Sequence, residues 1–178
     1  MSASNLHIAW AQLFLHAAWC AGVRDIVVSP GSRSTPLALA AHHSPELRSH
    51  FIVDERAAAF FALGQARITG RPTILACTSG TAGAHYYPAV IEASMSGIPL
   101  VVVTADRPWE LQHTHAAQTI DQTRLFGDFP RLYLALGAPE PTAPALCALA
   151  RTAAQAVARA LAPEPGRAEE HTSELQSA

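Results

Sequence analysis

Ile26-Val-Val-Ser-Pro-Gly-Ser-Arg-Ser-Thr-Pro36 passes from three apolar residues, through a turn of small and hydroxylated residues, to a proline just inside a helix start. The apolar run shows no polar alternation, the pattern of a strand buried on both faces. Residues 29–34 read as a loop and 35–43 as a helix, and Phe51-Ile-Val53 reads as the next strand. The chain thus establishes a strand, helix, strand rhythm within its first third.

The rhythm extends both ways. Upstream, Trp10, Leu13, Phe14, Ala17, Ala18 and Ala21 recur at helical spacing behind Ser4 or Asn5 as cap, with Gly22 placed to end the helix. Downstream, the pattern predicts a helix over 55–68, a strand over 73–77, a helix over 81–96 and a β-branched strand over 100–104. Beyond Arg107 the pattern loosens, then 132–136 reads as an edge strand and 141–162 as an alanine-rich helix. Short apolar strands separated by helices predict an α/β fold, a parallel sheet flanked by helices on both faces. Ligands of such sheets gather outside the carboxyl ends of the strands. Four loops leave those ends: residues 29–34, 54–55, 78–83 and 105–108.

At 178 residues and 49% hydrophobic content the chain can bury one ordinary core. All twelve basic residues are arginine and none forms a run, and the formal charge is -2, so nucleic acid is not an expected partner. Cys20, Cys77 and Cys147 are odd in number and contain no CxxC, which fits a reducing compartment better than a disulfide framework. No basic leader and no apolar run of about 20 residues is present, so no membrane insertion is expected and a cytoplasmic location is.

Glu55 stands at the opening of an apolar helix, where it is either a helix-start acid interacting with the dipole or an acid able to share a proton with a ligand nitrogen. The loop of Ser32 and Arg33 offers backbone donors and a planar cation to a carboxylate or phosphate; its plainer reading is a capped turn with a solvated arginine. Thr78-Ser-Gly-Thr-Ala-Gly83 allows a flat ring or a phosphate to approach the backbone, as it also allows a tight turn. It lacks the lysine of a P-loop and the GxGxxG spacing. Arg107 is either a carboxylate clamp oriented by Asp106 or half of a surface pair. His113 and His115 have no third ligand at a convincing spacing, so no metal site is expected, and Cys77 has no obvious His partner for nucleophilic chemistry.

Pro30-Gly-Ser-Arg-Ser-Thr-Pro36, Asp54-Glu-Arg56, Thr78-Ser-Gly-Thr-Ala82 and Thr104-Ala-Asp-Arg-Pro108 fall in order at strand ends, followed by Gln118. Together they resemble the N-terminal, pyrimidine-binding domain of the 2-succinyl-5-enolpyruvyl-6-hydroxy-3-cyclohexene-1-carboxylate synthases of menaquinone biosynthesis, which are thiamine diphosphate enzymes. The likeness covers about residues 5 to 165.

The resemblance implies that Glu55 is the catalytic acid that hydrogen-bonds the aminopyrimidine ring nitrogen, and that Thr78, Ser79, Gly80 and Thr81 border the same ring. It implies that Ser32, Arg33, Arg107 and Gln118 hold the substrates, 2-oxoglutarate and isochorismate, in a decarboxylation followed by transfer of the succinyl unit. Guanidinium groups suit such polycarboxylates. It also implies Mg2+, held with the diphosphate by a C-terminal domain through a Gly-Asp-Gly motif. That motif is absent here, so the central and diphosphate-binding domains are missing and the chain alone is expected to be inactive. The family's architecture, in which domains of two subunits share one cofactor, implies a homodimer or homotetramer of the full-length enzyme.

The pyrimidine-binding domain is expected over 1–165. Residues 166–178, with Glu169-Glu-His-Thr-Ser-Glu-Leu-Gln-Ser177, read like a translated sequencing adapter and are expected to be a non-native or disordered tail. On this hypothesis the native frame ends near Arg167, and resequencing the source DNA into a genuine downstream coding region would contradict it. Two other readings stand beside the synthase: the equivalent domain of an acetolactate synthase-like enzyme, and a non-catalytic anion-binding α/β module.

Overall fold

The structure, a computed structural model, describes residues 3–112, 114–162 and 170–176. The helices are α1 (Ala3–Cys20), α2 (Thr35–His42), α3 (Glu55–Thr69), α4 (Tyr87–Ser96) and α5 (Ala143–Leu161). The strands are β1 (Asp25–Val28), β2 (Arg48–Phe51), β3 (Thr73–Cys77), β4 (Leu100–Asp106), β5 (Pro130–Ala135) and β6 (Glu170–Gln176). Two 3-10 helices, Gly80–Tyr86 and Trp109–Leu111, are also found among the described residues. All pairings are parallel, in the order β2-β1-β3-β4-β6-β5.

Alternate residues of each strand feed opposite layers, as the pleat requires. Ile26, Val28, Ile74, Ala76, Val101 and Val103 join Phe14, Leu15, Leu37 and Val157 in a core beneath α1, α2 and α5. Val27, Leu75, Val102 and Leu100 join Ala59, Ala62, Tyr86, Val90 and Phe126 beneath α3 and α4. Each fully buried valine or leucine contributes about 1.5–3 kcal/mol relative to exposure, so the central strands β1, β3 and β4 carry the stability on which the loops at their tips rest.

Local chemistry sets the helix ends. Asp54 caps α3 by accepting the Ala57 N–H at 3.0 Å, and Gly70, at φ 64°, closes it in the left-handed conformation that glycine adopts freely. Thr142 caps α5 in the same way, accepting from Ala145 N.

Several boundaries differ from the sequence expectation. The second strand lies at 48–51 rather than 51–53, because Arg48 pairs in register with Asp25 and binds its buried carboxylate at 2.7 Å. Val53 is consequently 80% exposed on the way out of the strand. The single helix expected over 81–96 divides into a 3-10 helix and α4, with a proline in the first turn of α4. Helix α1 starts at Ala3, ahead of the expected cap, and β4 continues to Asp106. The edge strand expected over 132–136 is present as β5. In the tail, Glu170–Gln176 runs as strand β6 between β4 and β5.

Candidate functional site

β1 lies between β2 and β3, so the chain reverses its direction of travel across the sheet at the β1/β3 gap. Such a switch point opens a crevice at the carboxyl ends of the strands. The loops after β1 (29–34) and β3 (78–83) flank that crevice, and the start of α3 enters from the β2 side.

Glu55 is the first residue of α3 and half-buried. Helical spacing puts it on the stripe of Ala58, Ala59, Ala62 and Ala66, all of which pack on the sheet. Its charge acts on Cys77, the last residue of β3, and on Tyr86, both buried in the core. Glu55 therefore stands on the sheet-facing side of α3, near the carboxyl ends of the strands. Burial, with a smaller contribution from Glu55, pushes the Cys77 thiol and the Tyr86 phenol far up, so both stay neutral at any physiological pH.

The first two loops lock into each other. The Ser34 and Thr35 hydroxyls each donate to Gly31 O at 3.2 Å, tightening the turn. Arg33 N donates to Thr78 Oγ1 at 3.3 Å, and the Thr78 side chain fills the place where a Cβ on residue 31 would stand. Ser32 is exposed and the Arg33 side chain half-buried, so this loop presents its polar groups outward.

The segment after β4 folds back on the second loop. Ser79 Oγ donates to Gln118 O at 3.0 Å, and Gly80, at φ 84°, lies so close to the Gln118 main chain that a Cβ would meet its oxygen at 3.0 Å. Gln118 itself has a φ of 55°, and its side chain is exposed. Arg107 donates through Nη2 to Ala117 O at 2.8 Å, while its Nε is buried without a hydrogen-bond partner. Asp106 is only 4% exposed, which removes the surface-pair reading; its Oδ1 accepts the Arg107 main-chain N–H at 2.7 Å and Gln112 Nε2 at 3.3 Å, shaping the turn.

The candidate residues thus fall into two groups. Glu55 is half-buried at the start of α3, and Thr78, Ser79 and Gly80 are buried in the loop after β3, with Thr81 exposed. Ser32, Arg33, Arg107 and Gln118 lie on the surrounding loops, and Gln118 reaches the second loop through its backbone. Among the described residues no group of three or more His, Cys, Asp or Glu is arranged to hold a metal ion, and His113 lies outside the described residues.

An acid at a helix start, a crevice floored by small residues and arginines on the rim suit a flat, nitrogen-bearing ring together with an anionic substrate. Residues 9–125 match the family model of the thiamine pyrophosphate enzyme N-terminal TPP binding domain. The chain belongs to that family.

Relatives of this TPP-binding domain include 2-succinyl-5-enolpyruvyl-6-hydroxy-3-cyclohexene-1-carboxylate synthases. The protein of Sorangium cellulosum is 66% identical over 166 residues, 93% of this chain and 27% of that protein. Those of Haloquadratum walsbyi and Myxococcus xanthus are 53% and 52% identical over 159 residues each, covering 88% and 89% of this chain. The chain spans about a quarter of the length of these relatives.

Sequence reasoning did not place Tyr86 at the strand tips, and it weighed Cys77 only as a nucleophile. Tyr86 stands in an apolar run, Tyr86-Tyr-Pro-Ala-Val90, that reads as ordinary core, and Cys77 reads as the end of a strand. Only the pairing of β1 with β3 brings both beneath the two loops.

Proposed function

We propose that this chain is the N-terminal, pyrimidine-binding part of a thiamine diphosphate-dependent transferase that decarboxylates 2-oxoglutarate and adds the succinyl unit to isochorismate in menaquinone biosynthesis. The observation that supports the reading is the position of Glu55, half-buried as the first residue of α3 on the helix face that packs on the sheet, in a domain of the TPP-binding family.

The residues present fit the cofactor's pyrimidine. Glu55 would hold a proton against a ring nitrogen. Residues 78–81 would offer their main chain to the ring, since Thr78 Oγ1 and Ser79 Oγ are already engaged with Arg33 and Gln118. When bound, the cofactor supplies the electron sink that decarboxylation of a 2-oxo acid requires.

The chain's own residues bind and orient. Arg33 and Arg107 carry planar forks suited to carboxylates, and Arg107 Nε still has a donor to give. Ser32 and the Gln118 side chain, both exposed, supply hydrogen bonds at the rim. Mg2+ and the diphosphate belong, on this reading, to a C-terminal domain outside this chain, which alone would be inactive. The parent works in the cytoplasm as a homodimer or homotetramer. Supporting an assembly is the outer layer of α3 and α4, which leaves Phe60, Phe61, Ile68, Tyr87 and Met95 exposed.

The same reading assigns 1–165 to the domain and treats 166–178 as foreign to the parent. In support, the three matches above extend over at most 166 of the 178 residues.

Glu55→Gln in the full-length protein tests the central assignment: exchange of the cofactor's C2 proton should slow by orders of magnitude. An unimpaired rate removes Glu55 from the chemistry. Supplying isochorismate against pyruvate as second substrate separates this synthase from an acetolactate synthase-like enzyme.

A further inference from the structure

We infer that Tyr86 is a positioning residue whose hydroxyl holds loop 29–34, with Ser32 and Arg33, against the end of β3.

Tyr86 is fully buried and lies at the end of the 3-10 helix that leaves the second loop, so its ring passes beneath both loops. Its Oη lies 2.9 Å from Ala76 O and 3.2 Å from Ser29 Oγ. A phenol has one proton and two lone pairs. Ala76 O can only accept, so the Tyr86 proton goes there, and the Ser29 hydroxyl must donate to Oη. Ala76 O also accepts the Ser29 N–H at 2.8 Å, which uses its second lone pair. Ser29, Ala76 and Tyr86 thus close a buried network of three hydrogen bonds.

Ser29 is the first residue after β1 and precedes Pro30, which has no N–H to offer. The loop is therefore fastened at two points: at Ser29 by Tyr86 and Ala76, and at Arg33 N by Thr78. Without the phenolic oxygen, the buried Ser29 hydroxyl loses its acceptor and the first fastening depends on one main-chain bond. An orphaned buried hydroxyl carries the desolvation cost of a lost hydrogen bond, which favours local opening of the loop.

The consequence for substrate binding rests on the proposed role of Arg33; the fastening itself does not. Tyr86→Phe keeps the ring volume and removes the oxygen. Amide hydrogen exchange on the 178-residue chain should show residues 31–35 exchanging roughly 3- to 10-fold faster, the range set by one lost hydrogen bond, with β3 and β4 unchanged. Ser29→Ala serves as a second variant with the same local signature. The double variant should add little to Tyr86→Phe, because removing both partners leaves no orphan. Acceleration spread evenly over the sheet, or no acceleration at 31–35, overturns the inference, and so does simple additivity.

In the full-length enzyme, Tyr86→Phe should raise KM for the acidic acceptor roughly 3- to 10-fold and leave kcat within about 2-fold, with the pH profile unmoved. Local loosening with an unchanged KM upholds the fastening and removes Arg33 from the substrate site instead. A loss confined to kcat overturns the positioning role.

Discussion

Thr78 stands where a side chain on residue 31 would be. An ideal Cβ built on Gly31 meets Thr78 Cβ at 2.5 Å and Cγ2 at 2.6 Å, well inside contact distance, so the two strand-tip loops approach more closely than any other residue at 31 permits. Thr78 is β-branched and buried, with little rotameric room to move aside. Gly31→Ala should therefore force the loops apart, cost about 1–3 kcal/mol as overpacking does, and break the Arg33 N to Thr78 Oγ1 bond. Urea denaturation gives the first quantity, and the amide shift of Arg33 reports the second. An unchanged midpoint would show that the loops slide past each other.

The start of α3, where Glu55 stands, should respond to acid. The hydrogen bond from Arg56, and next that from the Ala57 N–H, hold the Asp54 carboxyl below its ordinary value of 3.8. A carboxylate depressed in the folded state contributes stability that is fully present above the unfolded value and is lost as pH falls through the folded one. The thermal midpoint should thus decline below about pH 3.8, and Asp54→Ala should remove that part of the slope while lowering the midpoint at neutral pH. Parallel pH profiles for the two proteins would exclude Asp54 as the source.

The three thiols should divide two to one. Cys20 and Cys147 are exposed, whereas Cys77 is buried and its thiol is pushed far up, chiefly by desolvation. Because the thiolate is the reactive form, a thiol reagent should modify two cysteines of the native chain rapidly and the third only on unfolding. Fast reaction of Cys77 in the native chain, identified by peptide mass, would mean that the floor of the crevice opens to solvent.

The layers and the strand-tip loops were legible in the sequence because buried parallel strands write continuous apolar runs: Ile26-Val-Val28 and Leu100-Val-Val-Val103 could be placed from hydrophobicity alone. β2 was misplaced because its register is set by an ion pair with Asp25, a contact between residues 23 positions apart that no local pattern records. Glu55 and the loops were legible as residue types in order. The Tyr86 network was not, since a tyrosine in an apolar run carries no mark of where its hydroxyl ends. β6 illustrates another limit: ladder hydrogen bonds are made by the main chain, so its pairing with β4 and β5 follows from backbone alone and is indifferent to the origin of the segment.

Helix α3 presents a second apolar face away from the sheet. Ala57, Phe60, Phe61, Gly64 and Ile68 recur at helical spacing opposite the buried alanines, and Ile68 is 88% exposed. The neighbouring α4 adds Tyr87, Ile91 and Met95 at the same spacing. Among the described side chains α1 shows no such outer stripe: the exposed positions there are Gln12, His16 and Cys20. An apolar outer layer over two adjacent helices is unfavourable in a monomer, so the isolated chain should self-associate at micromolar concentration. Ile68→Glu and Met95→Glu touch nothing in the core and should leave the thermal midpoint within about 0.5 kcal/mol in stability, while shifting the mass measured by light scattering toward the monomer. A wild-type chain that elutes as a well-behaved monomer, or charged variants that associate as before, would place the assembly surface elsewhere.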